Sequence, residues 1–344
     1  GCCLADHLIS KKYEVELVTD RRGFKYLQNF NYDKVSILSS SPFNKKNFFT
    51  KIYSLIIIFY SIVRSLIYLT FNRPSIIFGM GGYASFPICI AASMLKIKFI
   101  IYENNLIIGK ANKYLLPFAK KIFVAFEDLE GISKKYQNKI FKTGNIIKKE
   151  IINFSKINGE KSNKKISILI LGGSQAAKIF AEVLPNIFLK CSEHGISMKI
   201  YQHCLPFQNE KLSSFYTKAN IEYKLFNFSN NLIEYFSRVD FAITRSGSSI
   251  LAELTNANIP FVCVPLPTSA DNHQIKNAIY YKRKNLAFLI EEKDLNDKLL
   301  YLINQINENN AILSNVIQNQ RQFSDENVYN NIDHIMREII DEKN

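Results

Sequence analysis

Eight short runs rich in β-branched and aromatic residues, separated by stretches with helical spacing, constrain this chain more than any other feature. They are Tyr13 to Thr19, Ser75 to Gly79, Lys98 to Tyr102, Lys121 to Ala125, Ile166 to Leu171, Ser197 to Tyr201, Phe241 to Thr244 and Pro260 to Pro265. Strands joined through helices pair in parallel, because a tight hairpin cannot reverse the chain between them. The alternation breaks once, over Ser155 to Lys165, where Lys, Asn, Ser and Gly displace apolar residues in the manner of a linker. With 344 residues the chain holds roughly two domains' worth of core. The expectation is an α/β protein of two parallel-sheet domains, 1–150 and 151–322, with a helical tail over 323–344 packing back on the first. The absence of a short sequence period excludes a solenoid.

Composition removes further classes. With 47% apolar and 22% charged residues, wholesale disorder and collagen-like structure are excluded. The formal charge of +14 suits nucleic acid, an anionic membrane surface or phosphorylated substrates. It is a weak signal here: most of the cations are Lys, in a chain heavy in Asn, Ile, Phe and Tyr, a bias that genome base composition produces by itself. No aromatic-and-basic RNA motif supports nucleic-acid binding. The six Cys form no C-x-x-C pair and no even framework, so they read as free thiols in a reducing compartment. A helical pattern begins at once in Gly1-Cys2-Cys3-Leu4-Ala5-Asp6-His7-Leu8, as though the chain were cut there, and no export signal precedes it.

The segment from Ile52 to Leu69 is apolar nearly all the way round a helix, including Ile56, Phe59, Tyr60 and Val63, and is interrupted by Arg64. Three arrangements fit: a membrane span, a fully buried crossover helix, or a helix with one face on the core and another in a membrane interface. Lys45, Lys46 and Lys51 precede it.

Gly is scarce, 13 residues, yet five fall in two clusters at strand ends. In Leu171-Gly172-Gly173-Ser174-Gln175 a strand passes into a helix start, whose free N–H groups and positive dipole end suit a diphosphate; a ligand-free tight turn is the bland alternative. Gly79-Met80-Gly81-Gly82-Tyr83 likewise follows a strand and admits close backbone approach. Thr244-Arg245-Ser246-Gly247 leads into a helix carrying Glu253, a carboxylate able to hold a ribose diol or simply a solvated side chain. Asp271-Asn272-His273-Gln274, with Asn277, opens an amide-rich helix suited to sugar hydroxyls. His273 has neither a second His at i+4 nor a nearby Cys, and no D-x-D run is present, so metal-independent chemistry without a cofactor is expected.

In their order and spacing, Gly79-Met80-Gly81-Gly82-Tyr83, Tyr102-Glu103-Asn104-Asn105, Gly172-Gly173-Ser174-Gln175, Arg245-Ser246-Gly247 with Glu253, and Asp271-Asn272-His273-Gln274 with Asn277 resemble the MurG family of bacterial N-acetylglucosaminyltransferases over nearly the whole chain. The resemblance implies the GT-B fold, two Rossmann-like domains facing across a cleft, with the donor UDP-GlcNAc held by the C-terminal domain. The implied acceptor is undecaprenyl-diphospho-muramoyl pentapeptide (lipid I), at the cytoplasmic face of the inner membrane, and the implied reaction is inverting transfer of GlcNAc to its muramoyl 4-hydroxyl. Carried over by position, Ser174, Gln175, Arg245, Ser246 and Lys148 meet the uridine diphosphate and Glu253 the ribose. Gln274 and Asn277 grip the GlcNAc hydroxyls, and Asn105, with Glu103 beside it, lies near the reacting groups. Gly81, Gly82 and Tyr83 serve the acceptor, and Ile56, Phe59, Tyr60 and Val63 the membrane, where the flanking Lys meet anionic headgroups.

This sequence departs from the family pattern in four places. A Gly-rich loop bearing a His belongs just before Gly1, and the chain is expected to be inactive without it. Tyr102 and Asn104 stand where the family has His and Gln. Gly144-Asn145-Ile146-Ile147-Lys148 lacks a Pro and carries Lys for a bidentate Arg, and Ala176 replaces a Gly. Other GT-B enzymes, a diacylglycerol sugar transferase or a UDP-GlcNAc 2-epimerase, are the alternatives, and a non-catalytic basic membrane-binding protein is a distant one.

Overall fold

The computed structural model describes residues 1–27, 34–38, 40, 48–154, 165–173, 178–227, 229 and 231–341. Most of the linker stretch, Lys45, Lys46, Ser174, Gln175 and Ala176 fall outside them. The chain forms two compact units, Gly1–Ile146 with Asn327–Asn344, and Ile147–Glu326.

The first unit runs α1 (Cys2–Ser10), β1 (Leu17–Thr19), α2 (Arg21–Leu27), β2 (Val35–Ile37), α3 (Phe48–Phe71), β3 (Ile77–Gly79), α4 (Gly82–Met94), β4 (Phe99–Glu103), α5 (Lys110–Leu115), β5 (Lys121–Val124) and β6 (Ile140–Lys142). Strands β3, β4, β5 and β6 pair in that order, all parallel, and β1 pairs in parallel with β2. β4 is buried at every residue, as a strand covered on both faces must be. Phe99, Ile101, Ile122 and Val124 pack with Cys89, Ala91 and Ala92 of α4 and Leu115 of α5.

Helix α3 reverses the usual disposition of a crossover helix. Its face toward the unit carries Ser54, Ile58, Ser61, Ser65 and Leu69, all buried, and the helix packs along α4. The hydroxyls of Ser54, Ser61 and Ser65 donate to the carbonyls of Thr50, Ile57 and Ser61, four residues back, at 2.7–2.8 Å. This satisfies each hydroxyl within the helix and keeps the contact face thin, so two helices approach closely without an unpaired polar group. The bulky residues face outward: Ile56 is 61% exposed, Phe59 69% and Tyr60 54%. Complete burial of this helix is therefore excluded.

The second unit runs α6 (Lys149–Ile152), β7 (Ile166–Leu171), α7 (Lys178–Glu193), β8 (Met198–His203), α8 (Asn209–Lys218), β9 (Glu222–Phe226), α9 (Ile233–Phe236), β10 (Phe241–Thr244), α10 (Ser248–Asn256), β11 (Phe261–Cys263), α11 (His273–Arg283), β12 (Phe288–Leu289), α12 (Leu295–Glu308) and α13 (Ala311–Arg321). Its parallel sheet has the order β12-β11-β10-β7-β8-β9. The core beneath it is built from Ile168, Ile170, Phe180, Leu184, Phe188, Ile200, Phe241, Ile243, Val262, Leu299 and Ile303.

The C-terminal helix α14 (Val328–Asp341) returns to the first unit. The Nε2 of His7 on α1 lies 2.7 Å from Asp333 Oδ1, Lys98 Nζ donates to the Ile339 carbonyl at 2.8 Å, and Asn331 Nδ2 donates to the Thr143 carbonyl at 3.2 Å. None of the six Cys forms a disulfide, four of them are buried, and burial pushes the Cys89 and Cys263 thiols up to about 12.

Candidate active site

In the second unit the strand order reverses between β7 and β10, with Leu171 paired to Thr244. In an open parallel sheet, ligands enter at such a switch point, beyond the carboxyl ends of the strands. The register therefore sets the Gly172–Gly173 turn beside Arg245-Ser246-Gly247. Gly173 has φ +70°, a left-handed conformation that a side chain would strain.

Glu253 stands in the second turn of α10. It is half-buried, and burial pushes its carboxyl up to about 7 against the opposing pull of the Lys148 ammonium. Lys148 caps α6, which packs on α10. Near neutral pH such an acid is therefore divided between a protonated form that can donate and an ionised form that only accepts.

The amides of α11 are committed to the protein. Gln274 Oε1 accepts the backbone N–H groups of Ser246 at 3.2 Å and Leu266 at 3.0 Å, joining the turn after β10 to the loop after β11. This occupies the oxygen and leaves the NH2 as the end of the side chain suited to a hydroxyl. Asn277 is fully buried and its Nδ2 donates to the Ser246 carbonyl at 3.2 Å. Ser246 is also fully buried, its hydroxyl against the Cys263 thiol, so its backbone is the part of it that shapes the site.

Arg245 is held inward. Its Nη2 lies 2.5 Å from Glu292 Oε1, and its Nη1 donates to the carbonyls of Val264 at 3.2 Å and Pro265 at 3.4 Å. Its guanidinium carbon sits 5.1 Å from the Phe180 ring centroid. Sequence reasoning missed Glu292; it lies 47 positions after Arg245, and no local pattern marks it.

In the first unit, Gly81 and Gly82 have φ of 78° and 72° and start α4, with Tyr83 in its first turn. A Cβ on Gly81 would come 3.4 Å from the Tyr102 carbonyl, so the turn hugs the end of β4. The Glu103 carboxylate is buried and takes four donors: Asn105 N at 3.1 Å and Nδ2 at 3.0 Å on one oxygen, Gly109 N at 2.8 Å and Asn112 Nδ2 at 2.9 Å on the other. Such a carboxylate is shaped to hold the loop 104–109, and through it Asn105. Tyr102 turns inward as well: its hydroxyl donates to the Gly144 carbonyl at 3.3 Å and accepts the Ile146 N–H at 3.0 Å.

Residues 1–124 match the glycosyltransferase family 28 N-terminal domain and residues 167–334 the family 28 C-terminal domain. Two parallel-sheet units carrying these domains define a glycosyltransferase of the GT-B class. The chain is 32% identical over 336 residues, 97% of this chain and 93% of the relative, to the UDP-N-acetylglucosamine–N-acetylmuramyl-(pentapeptide) pyrophosphoryl-undecaprenol N-acetylglucosamine transferase of Pelagibacter ubique. The enzyme of the same name from Rickettsia felis is 33% identical, over 92% of this chain and 89% of its own length. Among solved structures, Acinetobacter baumannii MurG aligns with a TM-score of 0.75 at 22% identity, covering 98% of this chain and 94% of that one. A UDP-N-acetylglucosamine 2-epimerase aligns at 0.65 and 13% identity, covering 98% and 91%, a likeness of fold alone. The chain belongs to the MurG family within glycosyltransferase family 28.

Proposed function

We propose that this chain moves GlcNAc from UDP-GlcNAc to the muramoyl 4-hydroxyl of lipid I, yielding lipid II for peptidoglycan. The reading rests on one observation above the rest, 32% identity across 97% of the chain to a transferase named for that reaction. The acceptor oxygen attacks the anomeric carbon, the bond from that carbon to the UDP oxygen breaks, and the hydroxyl proton passes to a base. Glu253 takes the ribose diol, the Gln274 NH2 a GlcNAc hydroxyl, and Lys148 supplies positive charge next to Glu253. Arg245, Ser246 and Asn277 shape the donor side from within. Ser174 and Gln175, outside the described residues, retain the diphosphate role on the family resemblance. Asn105, set by Glu103, lies on the acceptor side with Gly81, Gly82 and Tyr83.

The outward face of α3, with Ile56, Phe59, Tyr60 and Val63, is assigned to the inner-membrane surface, where a lipid-linked acceptor resides. Its buried serines support this arrangement, because they thin the inward face and turn the large apolar residues outward. The test is incubation with labelled UDP-GlcNAc, with and without lipid I. Transfer of label to the lipid is the expected result. Loss of UDP-GlcNAc without acceptor, giving an epimerised sugar, would replace this reading by an epimerase.

A further inference from the structure

Arg245 gathers four parts of the second unit. It follows β10, its Nη1 holds the two carbonyls that open the loop after β11, its Nη2 meets Glu292 beyond β12, and its plane lies near Phe180 of α7. The cation is buried, and among these contacts Glu292 supplies the compensating negative charge. The Leu266 N–H that orients Gln274 is one residue beyond Pro265, whose carbonyl Arg245 holds. Removing the Glu292 carboxylate leaves a buried guanidinium uncompensated, a state that relaxes by moving the cation away from its carbonyls. The Val264–Leu266 segment is then untied, and Gln274 loses one of the two donors that fix it. Glu253 stands on α10, which packs against α6 near Lys148, and is reached from that loop only indirectly, through Gln274 and the Ser246 N–H that precedes the helix.

We propose that Glu292 is a positioning residue for sugar recognition, acting through Arg245 on the Val264–Leu266 loop and hence on Gln274. This rests on the reading that Gln274 holds the GlcNAc moiety. It predicts an effect on the sugar that the nucleotide does not share, which a purely structural ion pair would not produce.

The experiment is calorimetric titration of wild type, Glu292→Ala, Glu292→Gln and Gln274→Ala with UDP-GlcNAc and with UDP, alongside thermal melts. For Glu292→Ala the expected result is about tenfold weaker UDP-GlcNAc binding with UDP within about twofold of wild type, and an intermediate value for Glu292→Gln, which keeps an acceptor oxygen without the charge. Equal losses for both ligands, or no loss in a variant that melts like wild type, would overturn the proposal. Should Glu292→Ala not fold, Glu292→Gln carries the same comparison. Gln274→Ala separates the two layers. If it leaves the ratio of the two affinities unchanged, the sugar-holding reading fails and takes the proposal with it. If it lowers the ratio while the Glu292 variants do not, the positioning role alone fails.

Discussion

The Nδ2 of Asn112 donates both to the Glu103 carboxylate and to the carbonyl of the neighbouring Tyr102, each at 2.9 Å, so one buried amide on α5 ties down the end of β4. Glu103 is thereby a structural acceptor. Glu103→Gln places an NH2 against donors that need an oxygen, and we expect a loss of about 1–3 kcal/mol in urea denaturation. A variant with unaltered stability and abolished transfer would instead make Glu103 the proton acceptor.

Burial holds the Glu253 pKa well above its unfolded value, to about 7. The folded state then binds more protons than the unfolded one between about pH 4.5 and 7, so stability is highest below that window and falls as pH rises through it, by at most about 3 kcal/mol. Glu253→Gln flattens the profile. Only the ionised form accepts both ribose hydroxyls, so UDP affinity in the wild type rises with pH across neutrality. Calorimetry in buffers of different ionisation enthalpy will register the proton released; no release would remove Glu253 from the ribose.

On α3, Ile56→Lys and Phe59→Lys alter exposed side chains and leave the fold intact. Cosedimentation with phosphatidylglycerol vesicles is expected to fall about tenfold for the pair, with UDP binding unchanged. Undiminished cosedimentation would take the membrane contact off this face.

Ser65 is fully buried where α3 packs along α4. Ser65→Leu, a gain in hydrophobicity, is nevertheless expected to destabilise by about 1–3 kcal/mol, because a branched side chain has no room between the helices. Thermal melts decide it; a rise in melting temperature would mean that the interface holds unfilled space.

Much of the architecture was legible in local pattern. Seven of the eight expected runs, those beginning at Ser75, Lys98, Lys121, Ile166, Ser197, Phe241 and Pro260, align with strands to within a residue or two, whereas Tyr13 to Thr19 shortens to Leu17–Thr19. Strands β2, β6, β9 and β12 escaped notice. β2, β6 and β12 have two or three residues, and β9 alternates polar and apolar residues at the edge of the sheet, so their pairing rests on backbone bonds to a neighbour and not on an apolar run of their own.

The parallel α/β character, the two glycine turns at strand ends and the acid on α10 are written in local pattern, because each depends on residues adjacent or one helical turn apart. Which way the polar side chains face is settled by packing. Arg245 turns to Glu292 and to the carbonyls of Val264 and Pro265, Glu103 fills with backbone and amide donors, and α3 buries its serines in place of its aromatics. Each outcome turns on partners distant along the chain or on the room left between two helices, and those are properties of the packed structure.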